Sequence, residues 1–298
     1  MSNRTIRALL PPASHSAGRS TASHLLSRQV VALGGGTART NSAVVYLLAL
    51  PMLLFLLAVP ATILFGLFDL AGEEINRGGE LLRALGVSLR GAAGAVLLVV
   101  LFGSPLALAT ARARRRGLKS ALLATMTLPM VLPPAATGLG LLILLGPRGY
   151  VSPLLDSLGI SIAFSPAAVI VAQLFVSAPL YLLQATRAFE ITEARYRELA
   201  LVDGVRGADY IRLVLLPISR RPLELAALSA GARALGEFGA TMMFAGSLPG
   251  LTQTLPMTVY LGLQRGVATA LGAASLLLGF GAIGLLVTQV LLRWEPET

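Results

Sequence analysis

Two oppositely charged residues, Arg233 and Glu237, stand four positions apart in an otherwise apolar stretch, GARALGEFGATMMFAG. Residues at this spacing share one face of a helix and can form an ion pair. An ionisable side chain inside a membrane-spanning segment is commonly functional. For Glu237 we favour a self-neutralising structural pair over a direct role in binding a ligand, whereas both roles stay open for Arg233.

A second charged segment, RELALVDGVRGADYIRLVLLP, occupies residues 197–217 between apolar stretches. We expect Thr192 to cap a short helix, with Glu193 in its first turn and Gly204 ending it in a left-handed conformation. The spacing predicts one apolar face on this helix, formed by Tyr196, Leu199 and Ala200.

A second short helix is predicted from about Ala208 to Leu215, where Pro217 would stop it. Two short helices at an angle form either an exposed docking element or an amphipathic segment on a membrane surface. Composition does not decide between these two interpretations.

The sequence lacks the residues that several other kinds of site require. The sequence has no cysteine, and its two histidines, His15 and His24, precede the apolar blocks, so thiol chemistry and an intramembrane histidine site are excluded. The sequence also lacks the G-x-x-x-x-G-K-[ST] phosphate loop, and RGLKS around Lys119 does not supply one. We therefore expect this chain to bind no cofactor.

The composition is that of an integral membrane protein. Of 298 residues, 55% are hydrophobic and 13% charged, against about 25% charged in soluble domains. The formal net charge of +10 is concentrated beside apolar blocks, which indicates membrane topology rather than nucleic-acid binding. Membrane lipid is the expected surrounding.

Six apolar blocks reach the length of about 20 residues that a membrane-spanning helix needs. They predict an all-α membrane protein with spans near 43–68, 88–111, 121–146, 165–186, 222–245 and 268–292. Residues 1–42 are predicted to be a disordered tail, and residues 43–298 form the transmembrane domain, with its core at 88–292.

Positive charge predicts the orientation of the spans. The tail carries five arginines and no acidic residue, and the loop at 112–119 carries four arginines and Lys119, again with no acidic residue. Because such loops stay on the cytosolic side, both termini are expected in the cytosol of a plasma (inner) membrane protein. Residues 187–221 would then form a long cytosolic loop.

The 197–217 segment resembles the "EAA" loop of permease subunits from bacterial ABC importers. Leu199 and Val214 depart mildly from that pattern, and five residues match it in register: Glu198, Ala200, Gly204, Leu216 and Pro217. The resemblance implies a coupling helix seated in a partner ATPase subunit, which would hold ATP and Mg. The expected coupling residues are Tyr196, Glu198, Leu199, Ala200, Asp203, Gly204, Leu216 and Pro217.

The stretches GEFGAT (236–241) and PGLTQTLP (249–256) resemble the molybdate-type permeases, and the similarity covers roughly residues 88–290. Related sulfate permeases tend to differ at Phe238 and at 240–241. The resemblance implies the type I ABC importer permease fold with six transmembrane helices. It also implies a homodimer around one pathway, two copies of the ATPase subunit and an extracytoplasmic molybdate-binding protein.

A pathway for a tetrahedral dianion should offer hydroxyl and backbone N–H groups, since the ion cannot cross hydrocarbon unaided. The break at Pro133 and Pro134 is expected to line this pathway, and Phe238 with Met242 could form an apolar gate. The candidate pathway and gate residues are Pro133, Pro134, Thr137, Arg233, Glu237, Phe238, Gly239, Thr241 and Met242. Helix packing is the alternative role for them.

Two other classes of protein are weighed against the importer. A stand-alone secondary transporter or channel explains the spans and proline breaks, but it leaves the register at 198–217 to chance. An intramembrane protease would need a histidine, a cysteine or a pair of aspartates in its spans, and the predicted spans of this sequence contain none of these. Within the importer class, tungstate and sulfate or thiosulfate remain the alternative substrates.

Overall fold

The computed structural model describes residues 42–70 and 78–293, and every regular element within these ranges is helical. The predicted tail lies outside the described residues, apart from residue 42. The chain divides into two units, residues 1–58 and 59–298, and α1 (Ser42–Leu70) runs through the boundary. The prediction of an all-helical membrane protein is confirmed.

The remaining helices follow in chain order. They are α2 (Gly78–Leu98), α3 (Ser104–Ala111), α4 (Arg116–Val131), α5 (Pro134–Leu145), α6 (Ser152–Ser157), α7 (Pro166–Val202), α8 (Gly207–Tyr210), α9 (Leu216–Leu235), α10 (Gly239–Ala245), α11 (Leu255–Arg265) and α12 (Val267–Arg293). Two π-helical segments, Val99–Gly103 and Ile211–Leu215, connect α2 to α3 and α8 to α9 without interrupting the helical course.

Among the described residues, four helices are long and apolar enough to cross a membrane: α1, the continuous α2–α3 helix, α7 and α12. A fifth span results if α4 and α5 count together, although they meet at an angle of 110°. The six predicted spans are therefore not all present as straight apolar helices. The predicted span at 222–245 is divided between α9 and α10, and α9 carries several charged side chains along its length.

Each π-helical segment ends two residues before a proline, Pro105 or Pro217. A proline inside a helix lacks the N–H for the usual bond, and its ring presses on the preceding turn. A wider π turn relieves this pressure, because its bonds reach back five residues; the Leu216 N–H donates to the Ile211 carbonyl in this way. The chain can thus remain helical through both prolines.

The core of the second unit lies where α7 packs on α9, α3 and α2. Its largest buried side chains on α7 are Tyr181 and Phe189, and they pack against buried alanines such as Ala226 and Ala230 on α9. Small residues let helix backbones approach closely, which is the usual basis of helix association in membranes. This packing fixes α7 and α9 side by side and so positions the segment that joins them.

Candidate functional site

The turn between α7 and α8, residues 203–206, ends α7 with a hydrogen-bond pattern known as the Schellman motif. The Val205 N–H donates to the Ala200 carbonyl at 2.8 Å, and the Gly204 N–H donates to the Leu201 carbonyl at 3.2 Å. Gly204 has a φ of +78°, which L-residues with a side chain adopt only under strain. Val205 packs on the cluster that contains Ala200. The predicted left-handed end at Gly204 is confirmed.

The predicted start of the first short helix is wrong. Thr192 lies inside α7, which runs for 37 residues without a break, and it caps nothing. Its hydroxyl is buried, lies 3.0 Å from the Ala188 carbonyl and 2.9 Å from the hydroxyl of Ser219 on α9. The polar side chain that suggested a helix start therefore connects α7 to α9.

The predicted stop at Pro217 is also wrong. The helical course begins at Gly207 and continues through α8 and the π segment into α9, to Leu235. Pro217 lies inside this helical course, and the π segment before it accommodates the proline ring. The turn at 203–206 is thus the corner between two long helical arms rather than a link between two short helices.

Charged side chains attach the end of α3 and the start of α4 to α7. Glu193 is the centre of this network: its Oε1 accepts from Arg112 Nη2 at 2.7 Å, and its Oε2 accepts from Arg197 Nη1 at 3.0 Å. Lys119 Nζ lies 2.6 Å from Glu190 Oε1. Because Glu193 is nearly buried, its pairs are screened less by solvent than surface ion pairs.

Tyr210 closes the corner from the α8 side. Its ring lies under the Arg112 guanidinium, 6.0 Å away, and the residue belongs to the same buried cluster as Ala200 and Leu215. Burial, with a smaller contribution from the Glu193 carboxylate, raises the pKa of Tyr210 above its ordinary value. The phenol therefore stays protonated at neutral pH.

Apolar side chains are exposed around this corner. Leu199 is 61% exposed, Val202 86% and Leu213 64%. The predicted apolar face of Tyr196, Leu199 and Ala200 is therefore buried only at Ala200, while Leu199 points away from the core. Glu198, Asp203, Leu216 and Pro217 are also exposed. An exposed apolar patch beside charged residues is typical of a surface that binds another protein.

A second candidate region is formed where α5 packs on α10. The chain breaks between α4 and α5, with Pro133 extended and Pro134 at the first turn of α5. A Cβ on Gly138 would lie 2.6 Å from the Ala240 carbonyl, and a Cβ on Gly239 would lie 2.8 Å from Pro134 Cβ. Both glycines are thus required for the close approach of the two helices.

The predicted pair of Arg233 and Glu237 is present, with Arg233 Nη2 lying 2.9 Å from Glu237 Oε2. Glu237 is 1% exposed, and its second oxygen, Oε1, accepts from the Ala240 N–H at 2.9 Å. A carboxylate just before a helix N-terminus is favourable because it satisfies a free N–H group of the first turn. Both oxygens of Glu237 are therefore engaged in holding α9 to α10.

The hydroxyls of Thr137 and Thr241 are buried, and they have no hydrogen-bond partner among the described residues. Buried polar groups usually have partners, so these two hydroxyls are available to a ligand or to water. Phe238 packs on Tyr260, with ring centroids 5.2 Å apart, and Met242 is partly buried.

Two further residues, Tyr260 and Gln173, were not identified from the sequence. Tyr260 lies on α11, which falls between the predicted spans 222–245 and 268–292; the Thr254–Pro256 start, with proline in the first helical turn, is a signal that could have identified this helix. Gln173 lies on α7 and is fully buried, and neither its amide oxygen nor its amide nitrogen has a partner among the described residues.

Two relatives of this chain are named for the transport of molybdenum and of sulfate. The molybdenum transport system permease protein ModB of Mycobacterium tuberculosis is 43% identical over 178 residues, covering 60% of this chain and 67% of that protein. The sulfate transport system permease protein CysW of Synechococcus elongatus is 35% identical over 198 residues, covering 66% of this chain and 69% of that protein.

A solved structure of similar fold covers more of this chain than the two relatives do. A chain from the crystal structure of a bacterial ABC transporter involved in the import of the acidic polysaccharide alginate superposes with a TM-score of 0.59 at 15% identity, covering 85% of this chain and 95% of that chain. Residues 100–294, from the first π segment to the end of α12, match one protein family as a whole. The chain belongs to the family described as the binding-protein-dependent transport system inner membrane component.

Proposed function

We propose that this chain is the membrane-spanning subunit of an ABC importer that carries molybdate. The family supports the transport role, and the relative named for molybdenum transport is 43% identical, against 35% for the relative named for sulfate transport. The motifs at 236–241 and 249–256 favour the same substrate. Sulfate or thiosulfate is the second candidate, supported by the sulfate relative, and tungstate shares the size and charge of molybdate.

The observation that carries the proposal is the exposed corner between α7 and α8. A Schellman motif holds the turn rigidly, and Leu199, Val202 and Leu213 present apolar surface around it. We propose that the ATPase subunit covers this surface, with Glu198 and Asp203 at its polar rim. Tyr196, Ala200, Gly204, Leu216 and Pro217 would set the shape of the corner rather than make most of the contact.

The helix α9 provides a mechanical connection from the corner to the pathway. Pro217 lies at one end and Arg233 at the other, about 24 Å apart at 1.5 Å per residue. Since Glu237 and Arg233 join α9 to α10, a displacement of the corner would move α10 against α5. We propose that ATP and Mg bind to the partner ATPase and that its closure produces this displacement.

The proposed assembly contains two copies of this chain around one pathway, two ATPase subunits and an extracytoplasmic binding protein that delivers the anion. Both termini and the corner would face the cytosol, as the basic segment at 112–119 favours. The partner ATPase would hydrolyse ATP, and this chain would act as the transport subunit.

The proposed pathway runs past the contact of α5 with α10. The free hydroxyls of Thr137 and Thr241 would donate to the anion's oxygens, and Arg233 would attract it. Phe238 and Met242 would exclude water when the pathway is closed. The break at Pro133 and Pro134 would allow α5 to move separately from α4, since the 110° bend leaves no continuous helix between them.

Uptake of labelled molybdate tests the proposal. Proteoliposomes would contain this chain with its ATPase and binding protein, with ATP inside or absent and excess tungstate or sulfate outside. We expect ATP-dependent uptake that tungstate blocks and sulfate does not. Uptake without ATP would overturn the importer assignment. Competition by sulfate would instead favour sulfate or thiosulfate as the substrate.

The docking surface is tested separately by co-purification of the ATPase. Val202→Glu places a charge in the exposed patch and should prevent co-purification. Leu158→Glu changes a residue that is 62% exposed at the end of α6, and it should leave co-purification unchanged. Equal recovery of the ATPase with both variants would contradict the proposed surface.

A further inference from the structure

A small cavity of about 120 Å³ lies inside the corner, between the end of α3, the end of α7 and the start of α8. Arginines from three different segments line it: Arg112, Arg197 and Arg206. Tyr210 also lines it, and Leu201 and Val205 form its apolar wall. We call it the arginine cavity. None of the candidate coupling or pathway residues is among those that line it.

The charge of the arginine cavity is positive. Glu193 accepts from both Arg112 and Arg197, so one carboxylate is shared by two guanidinium groups. Arg206 forms no ion pair with any residue that the structure describes. Three guanidinium groups against one carboxylate leave two positive charges, and Glu193 keeps two of the guanidinium groups fixed in position.

Tyr210 contributes a hydrogen-bond donor. Its residue is 5% exposed, and its hydroxyl is buried without a partner within the described chain. Because burial raises the pKa of Tyr210, the hydroxyl keeps its proton at neutral pH. A buried hydroxyl without a partner is uncommon in folded proteins, and such a group often marks a position that a ligand or water satisfies.

We propose that the arginine cavity binds a small inorganic oxyanion, a tetrahedral dianion of the phosphate, sulfate or molybdate class. Guanidinium groups bind such ions in a planar, often bidentate geometry, and two unbalanced positive charges match a dianion. The volume is well below the roughly 300–1,000 Å³ that drug-sized ligands occupy, so a nucleotide does not fit.

A bound anion would add a link between three segments that also meet through Glu193, through the contact of Arg112 with the Tyr210 ring and through apolar packing. It would join Arg112 at the end of α3, Arg197 on α7 and Arg206 in the turn at 203–206. The corner would then be stiffer with the anion than without it. This effect on coupling rests on the proposed function, whereas the binding site itself does not.

Binding is tested on the purified chain in detergent, without ATPase or binding protein, so that both sides are accessible. Equilibrium dialysis with labelled phosphate, then with sulfate and molybdate, gives stoichiometry and affinity at constant ionic strength. Arg206→Gln should weaken binding about ten- to a hundredfold, because it removes a charge-assisted hydrogen bond. Tyr210→Phe, which removes only the hydroxyl, should weaken it about fivefold.

The matched control is Arg195→Gln. Arg195 is an exposed arginine on α7 whose guanidinium stacks on Tyr196, and it does not line the cavity. This variant should bind phosphate like the parent chain. Equal affinity of the Arg206→Gln and Arg195→Gln variants would overturn the site.

A carboxylate of the partner ATPase offers the same chemistry, and the experiment separates it from a free ion. If the isolated chain binds none of the three anions, and Arg206→Gln instead weakens assembly with the ATPase, the proposal is wrong and the cavity receives a partner side chain. Anion binding that persists when molybdate uptake fails would leave this site intact while overturning the proposed substrate.

Discussion

Gly204 gives the sharpest test of the corner between α7 and α8. Its φ of +78° lies in the left-handed region, and a Cβ built on it meets no atom within 4 Å. Gly204→Ala therefore adds no clash, and its cost is backbone strain alone, about 1–2 kcal/mol. The substitution isolates conformation from contact.

The strain should appear in the affinity for the ATPase subunit. If the substituted turn relaxes in the free chain, docking must restore the left-handed conformation. The apparent affinity then falls in proportion to the fraction of free chains that still hold this conformation. A strain of about 1–2 kcal/mol corresponds to a factor of about 5 to 30. Molybdate uptake at limiting ATPase should fall in the same proportion.

The assay is a fluorescence titration of the ATPase subunit against the chain in nanodiscs. Gly204→Asn is the compensating variant, because asparagine tolerates the left-handed region better than alanine, and it should bind more tightly than Gly204→Ala. Gly117→Ala is the control, since Gly117 is helical and its Cβ also meets nothing within 4 Å. Equal affinity of Gly204→Ala and Gly117→Ala would refute the reasoning.

Three further predictions concern the candidate regions. Glu237→Gln leaves Arg233 without its carboxylate and should lower the yield of folded protein on size-exclusion chromatography, whereas Glu224→Gln, in a more exposed pair, should not. Full yield with altered anion preference would instead indicate a substrate role for Glu237. Gly138→Ala forces a Cβ to within 2.6 Å of the Ala240 carbonyl and should cost about 1–3 kcal/mol of stability; Gly140→Ala, with open space around it, should melt at or above the parent temperature. Glu198→Ala should reduce uptake while the chain still inserts and dimerises, and normal uptake would contradict a coupling role.

Local signals in the sequence predicted those features that depend on a few neighbouring residues. The first, second, fourth and sixth apolar blocks are helices because their length and hydropathy suffice. Gly204 adopts the left-handed conformation that a helix end requires, and Arg233 pairs with Glu237 because four residues make about one helical turn.

Features that depend on distant contacts were predicted wrongly. Thr192 has the type of a helix cap, yet packing of α7 on α9 continues the helix, and its hydroxyl meets Ser219 instead. Pro217 has the type of a helix stop, yet the π segment before it accommodates the ring. For Thr192, tertiary packing outweighs a capping preference of about 1 kcal/mol. For Pro217, the π segment offsets a penalty of about 3 kcal/mol that proline has inside a regular helix.

The sequence by itself determined that this chain is an all-helical membrane protein with a charged segment of the importer type, because composition and motif register are properties of the chain. Only the tertiary structure decided what that segment presents: a corner with Leu199 outside and Ala200 inside. The arginine cavity likewise depends on the fold, since Arg112 and Arg206 are far apart in the chain and come together at one cavity. Direction and proximity of side chains follow from how α3, α7 and α9 pack, and no local pattern encodes them.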